Sequence, residues 1–130
     1  MDVTLKIEAF NAERSSLFNA ADEAHYIGDD IVGLVFLGEN YPLVEEPEEK
    51  STSHPCLYIK KDYRSYYLCF GPLDGELDMD EDLVILFKNG VQWIIRYRCC
   101  DHDEVSLSCT REWYFNGEKT YNPMHLRPTS

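Results

Sequence analysis

The chain has 130 residues, 24 acidic side chains against 12 basic ones, and a formal net charge of −12. That length suffices for one domain, residues 1–130, with a core that needs no staples. The charge excludes binding to nucleic acid through its phosphates, which takes Lys and Arg. No run approaches the ~20 apolar residues of a membrane span, and Met1-Asp2-Val3-Thr4-Leu5-Lys6 lacks the basic-then-apolar pattern of a signal peptide, so neither a secreted nor a membrane protein is expected. Five cysteines, Cys56, Cys69, Cys99, Cys100 and Cys109, are an odd number and are expected as buried thiols of a cytoplasmic protein.

The first element, Asp2 to Glu8, sets Val3, Leu5 and Ile7 against Thr4, Lys6 and Glu8, the period of a half-buried strand. Asn11 then offers an N-cap, and Leu17, Ala21 and Ala24 beside Phe18 and His25 give an apolar stripe, which predicts a helix over 12–26 stopped by Gly28. Ile31 to Leu37 is a continuous apolar run and reads as a strand buried on both faces. From Gly38 to Pro55 three prolines and a glutamate-rich centre predict a long, mobile acidic loop.

Hairpins follow. Cys56 to Lys60 and Ser65 to Phe70 are strand-like runs around Lys61-Asp62-Tyr63-Arg64, with Gly71-Pro72 as the end of the second. Leu83 to Lys88 and Val91 to Cys99 flank Asn89-Gly90, a strong hairpin signal. A two-residue turn there would pair Leu86 with Trp93 and Val84 with Ile95. It would leave Ile85, Phe87 and Ile94 on the far face, in need of cover. Glu104 to Cys109 is expected to return along that strand with Cys99 opposite Val105, Tyr97 opposite Leu107 and Ile95 opposite Cys109, because a one-residue slip would turn its apolar set outward. Asn116-Gly117 joins Trp113-Tyr114-Phe115 to Lys119-Thr120-Tyr121. The expected fold is α+β, a mainly antiparallel sheet of hairpins, eight or nine strands in all, covered by one N-terminal amphipathic helix. The alternative is a β-sandwich or barrel with a peripheral helix.

No motif for chemistry survives its own geometry. Cys99, Cys100 and Cys109 beside His102 invite zinc, yet adjacent strand residues point to opposite faces, and Cys99 and Cys109 would stand roughly 13 Å apart at strand rise. Asp78, Asp80 and Asp82 have the alternate spacing of a calcium loop, but Leu83 stands where its glycine belongs and Asn89 where its bidentate glutamate belongs. His25, His54, His102 and His125 are scattered, with no G-x-S-x-G, Gly-rich phosphate loop or H-E-x-x-H. No catalytic residue, metal or cofactor is therefore expected.

The charge is uneven. Residues 1–55 hold twelve acids and three bases, residues 56–130 twelve and nine, and from Asp22 to Glu49 there are nine acids with no Lys or Arg. A basic protein is the natural complement, since carboxylates steer such a partner into place. The expected contact surface is Asp29, Asp30, Glu45, Glu46, Glu48 and Glu49, with Asp78, Asp80 and Asp82 as a second group. In size, acidity, β content and lack of a catalytic motif the chain resembles the small acidic immunity proteins that bacteria make against secreted toxins. The resemblance implies inhibition of a basic toxin, such as a nuclease domain, by occlusion of its active site. Two other readings stand beside it. One is a small enzyme or ligand binder with an aromatic pocket, which His and Cys or Asp converging on a deep cavity would favour. The other is a phage-type DNA mimic, ranked lower because the latter part of the chain keeps nine bases.

Overall fold

Strands dominate because apolar and polar residues alternate with period two along most of the chain, which buries one side of a pleated ribbon. The computed structural model describes residues 2–11, 13–46, 55–74, 79–100 and 110–126; among these are eleven strands, one 3-10 turn at Gly28–Asp30 and no α-helix. In chain order the strands are β1 (Asp2–Ala9), β2 (Ile31–Phe36), β3 (Glu39–Tyr41), β4 (Leu43–Val44), β5 (Cys56–Asp62), β6 (Ser65–Asp74), β7 (Met79–Phe87), β8 (Gln92–Cys100), β9 (Thr110–Phe115), β10 (Glu118–Thr120) and β11 (Met124–Leu126). They form a five-stranded sheet, β11-β1-β6-β5-β4, and a six-stranded sheet, β10-β9-β8-β7-β2-β3. Only β1 with β11 and β4 with β5 pair in parallel.

Each sheet turns one face to a shared core. Leu5, Ile7, Leu57, Leu68 and Phe70 come from the first sheet, and Leu34, Phe36, Leu83, Ile85, Trp93, Ile95 and Tyr97 from the second. Phe70 bridges the two, edge-on to Phe36 at 5.8 Å and to Tyr41 at 5.0 Å between ring centroids. The architecture is thus two β-sheets packed face to face. This corrects the α+β expectation and leaves the sandwich alternative without its peripheral helix. Pro42 alone separates β3 from β4, so the chain changes sheet at that corner.

The helix expected over 12–26 is replaced by turns. Asn11 Oδ1 accepts hydrogen bonds from the N–H groups of Glu13 and Ser15, both at 2.9 Å, and Asn19 Oδ1 accepts one from Ala21 at 3.0 Å. Short polar side chains that capture nearby backbone donors compete with a helical ladder, and here they win. The apolar stripe goes unused: Ala21 and Ala24 are exposed, and Phe18 alone is buried, its ring edge-on to Trp93 at 6.2 Å. Leu17 ties the segment down, donating to Ala9 O and accepting from Ile27 N–H, each at 2.9 Å.

The β7–β8 hairpin forms at Asn89-Gly90 with a register one residue from the two-residue expectation. Gly90 N–H donates to Phe87 O and Phe87 N–H to Val91 O, both at 3.0 Å, with Gly90 at φ +88°. This is a longer loop closed by a left-handed glycine. Ile85 therefore faces Trp93 and Leu83 faces Ile95, so Ile85 and Phe87 belong to the core. The outer face needs no helix to cover it: Val84 and Leu86 are half-buried and Ile94 is exposed.

Other departures are local. The strand from Ile31 is buried on one face only, with Val32 exposed. The stretch 38–55 contains β3 and β4, while residues 47–54 lie outside the described residues. Residues 104–109 also lie outside them, and the positions expected to face Val105, Leu107 and Cys109 face β9 instead: Cys99 opposes Arg111, Tyr97 opposes Trp113 and Ile95 opposes Phe115. Asn116-Gly117 makes the expected two-residue turn, both residues at positive φ. β6 does not end at Gly71-Pro72, because those two residues bulge opposite the single Thr4 of β1 and the strand resumes at Leu73.

Two substitutions test these turns. At Gly71 an added Cβ would lie 3.0 Å from Thr4 Cα and 3.1 Å from Val3 O, so Gly71→Ala is expected to destabilise by about 1–3 kcal/mol, as overpacking against backbone does. Leu37 sits at φ +52° in a two-residue turn and is exposed, so Leu37→Asn is expected to stabilise by about 1 kcal/mol. Urea midpoints of the two variants against the parent should move in opposite directions.

Candidate binding groove

Among the described residues, β4 pairs with β5 only at Leu57 and Tyr58, and beyond that point Ile59 and Lys61 of β5 line one wall of a groove. Tyr66 of β6 stands opposite Lys61 and completes this wall, with the Lys61 ammonium 5.6 Å from the Tyr66 ring centroid. The facing wall comes from the turn segment, through Phe18 and Tyr26, and the third side from Leu43 and Val44 of β4, followed by the exposed Glu45 and Glu46. Together they enclose an open groove of about 500 Å³, within the range of ligand and anchor sites.

The core positions that wall. Phe18 is buried against Trp93, which contributes about 2 kcal/mol and pins the irregular segment to the second sheet. Tyr26 folds back over Gly28, where a side chain would run into the phenol ring. Burial raises the Tyr26 phenol above its usual ionisation range, and the nearby Asp29 charge raises it further. Lys88 N–H donates to Asp30 O at 2.8 Å and ties the 3-10 turn to the β7–β8 hairpin.

Of the acids singled out from the sequence, Asp29 and Asp30 are exposed on that turn and Glu45 and Glu46 form the lip of the groove. The two glutamates border the groove, whereas Asp29 is not among its lining residues and reaches it only through its charge on Tyr26. Asp80 and Asp82 lie elsewhere, on the outer face of the six-stranded sheet. There Arg96 Nε meets Asp80 Oδ1 at 2.6 Å, Arg96 Nη1 meets Asp82 Oδ1 at 3.1 Å, and Arg98 Nε is 3.7 Å from Asp80. The Arg96 hydrogen bond holds the Asp80 carboxyl below its usual range. Glu48, Glu49 and Asp78 lie outside the described residues.

The thiols gather elsewhere. Cys69 faces Tyr58 across the β5–β6 ladder, on the outer face of the five-stranded sheet, and Cys56 lies two residues before Tyr58. Burial pushes the Cys69 thiol up to about 11, more than the Lys6 and Lys60 charges pull it down, the reverse of what a nucleophile needs. Cys56 and Cys69 are free, whereas Cys99 is disulfide-bonded. That corrects the expectation of reduced thiols throughout, and a reducing compartment no longer follows from the cysteines. The two described histidines join no thiol: His25 Nδ1 meets Asp22 at 3.0 Å and His125 Nδ1 meets the buried Glu8 at 3.0 Å. Among the described residues no three His, Cys, Asp or Glu side chains are placed to hold a metal ion, and no helix is long and apolar enough to cross a membrane.

Comparison of the chain with protein-family models, characterised proteins and solved structures gives no match. The groove residues Phe18, Tyr26, Ile59, Lys61 and Tyr66 were not legible as a site, because three separate segments supply them. The one usable signal was the pairing of Lys61 with Tyr66 across a short hairpin.

The Cys69 assignment has a pH signature. The unfolded thiol ionises near its ordinary value of 9.0 and the folded one near 11, so the unfolded chain loses its proton first. The stabilising contribution is complete below pH 9 and is lost as pH rises toward 11. Urea midpoints measured between pH 8.5 and 11 should fall in the parent and fall less steeply in Cys69→Ala; identical slopes would remove this thiol as the cause.

Proposed function

We propose that the chain is a protein-binding inhibitor of a basic partner, acting as immunity proteins do by covering an active site, with a nuclease toxin domain as the partner class. The observation that carries this reading is the apolar groove edged by Glu45 and Glu46, set in a stretch from Asp22 to Glu49 with nine acids and no Lys or Arg. Apolar and aromatic lining supplies the desolvated centre on which interface affinity concentrates. Surrounding carboxylates steer a cationic surface toward it and set specificity. Support for an enzyme is weaker, because among the described residues the groove lining contains no His, Cys or Asp. Support for a DNA mimic is weaker too, because Arg96 and Arg98 pair with Asp80 and Asp82 where a mimic needs unpaired acids.

The immobilised protein should retain one basic protein from a lysate of its source, releasing it only at high salt and suppressing its activity when the two are mixed. The double variant E45K/E46K should slow association about tenfold and flatten its salt dependence, whereas D80K/D82K should change it far less. Retention and inhibition unaltered by E45K/E46K would overturn the reading.

A further inference from the structure

Among the described residues, the groove borders a stretch of the β5 edge that carries no strand. β5 pairs with β6 along its whole length, from Cys56 opposite Gly71 to Asp62 opposite Ser65. On its other side β4 reaches only Leu57 and Tyr58. Among the described residues no strand lies beside Ile59–Asp62 on that side, and no turn or loop hydrogen bond engages their backbone. A strand edge with spare N–H and C=O groups is a template for one more strand, and alternate side chains of such a strand would point toward the groove.

We infer that an extended segment of the protein partner adds to β5 along Ile59–Asp62, seating one apolar side chain in the groove and setting a neighbouring Lys or Arg against Glu45 and Glu46. This rests on the reading of the groove as a protein-binding surface. The apolar side chain meets Phe18, Leu43 and Ile59, the least polar part of the lining. The basic neighbour follows from charge, since neither lip glutamate takes part in an ion pair among the described residues, while Lys61 lies over Tyr66. A second copy of the chain would bring the same carboxylates to the same edge, which repulsion opposes. The chain's own residues 47–54, PEEKSTSH, carry one lysine, Lys50, beside two further glutamates, but no apolar side chain except Pro47 to fill the groove.

The test is a titration of the ¹⁵N-labelled protein with the capped peptide KVKVK up to millimolar concentration, followed by amide shifts. Saturable changes at Glu45, Glu46 and Ile59–Asp62 are expected, with a loss of affinity of tenfold or more in E45K/E46K. The peptide EVEVE and a KVKVK methylated at its central backbone amides should produce none. No saturable change at Ile59–Asp62, or equal binding by the methylated peptide, overturns the strand addition. So does slow hydrogen exchange at all four of these amides in the free protein, which would mean that the chain already covers its own edge. Capture of a basic partner that depends on Glu45 and Glu46 without peptide binding leaves the inhibitor reading standing and removes only this inference. Peptide binding with no such partner does the reverse.

Discussion

The register of β7 against β8 decides both faces of the six-stranded sheet. With Ile85 opposite Trp93, the residues Leu83, Ile85, Trp93, Ile95 and Tyr97 share the core side, and Asp82, Asp80, Arg96 and Arg98 share the outer side. A shift of one residue would turn β7 over against β8. With Trp93, Ile95 and Tyr97 kept in the core, it would carry Ile85 into water and draw Asp80 and Asp82 under the opposing sheet, away from Arg96, where ions cost several kcal/mol each to desolvate. The loop at Lys88-Asn89-Gly90 sets that register, and the left-handed Gly90 lets the chain turn there without strain. Core and surface chemistry thus share one cause.

The groove depends on the same core at one remove. Trp93 meets Phe87 and Phe115 as well as Phe18, with centroids at 4.8, 5.8 and 6.2 Å. Phe18 is its link to the irregular segment before β2. Because that segment has no ladder of its own, its position rests on Phe18, the Leu17 hydrogen bonds and the side-chain turns of Asn11 and Asn19. The opposite wall, on β5 and β6, is a regular antiparallel ladder. One wall of the groove is thus ordered by backbone pairing and the other by side-chain packing and local turns.

Period-two patterning was sufficient to read most strands, and the two Asn-Gly turns were legible because their backbone needs are narrow. Three features were not. The segment 12–26 carries a helical apolar stripe, yet Asn11, Ser16 and Asn19 spend their side chains on local backbone donors, and spacing alone does not disclose which competitor wins. The β7–β8 loop differs from the expected turn by one residue, within the range that Asn-Gly permits, and spacing alone does not choose between the two. The pairing partner of β8 was misread because Glu104 to Cys109 and Thr110 to Phe115 both alternate, and parity does not separate two adjacent candidates. At the site, Glu45 and Glu46 were visible as charge, while the apolar groove they edge comes from residues that meet only in the folded chain.

Charge count alone also conceals a difference in kind among the carboxylates. Asp80 and Asp82 meet Arg96 and Arg98 on the neighbouring strand, so two cations compensate two carboxylates and their joint field gives little pull on a distant cation. Glu45 and Glu46 have no such partner among the described residues, and they lie in the half of the chain that carries twelve acids against three bases. At physiological salt a field is felt over about 8 Å, so only unmatched charge near a docking surface bends an approaching partner's path. Apolar lining alone would favour many hydrophobic segments and carboxylates alone many basic ones. On the strand addition proposed above, their juxtaposition beside Ile59–Asp62 would select a segment that has both properties at successive positions.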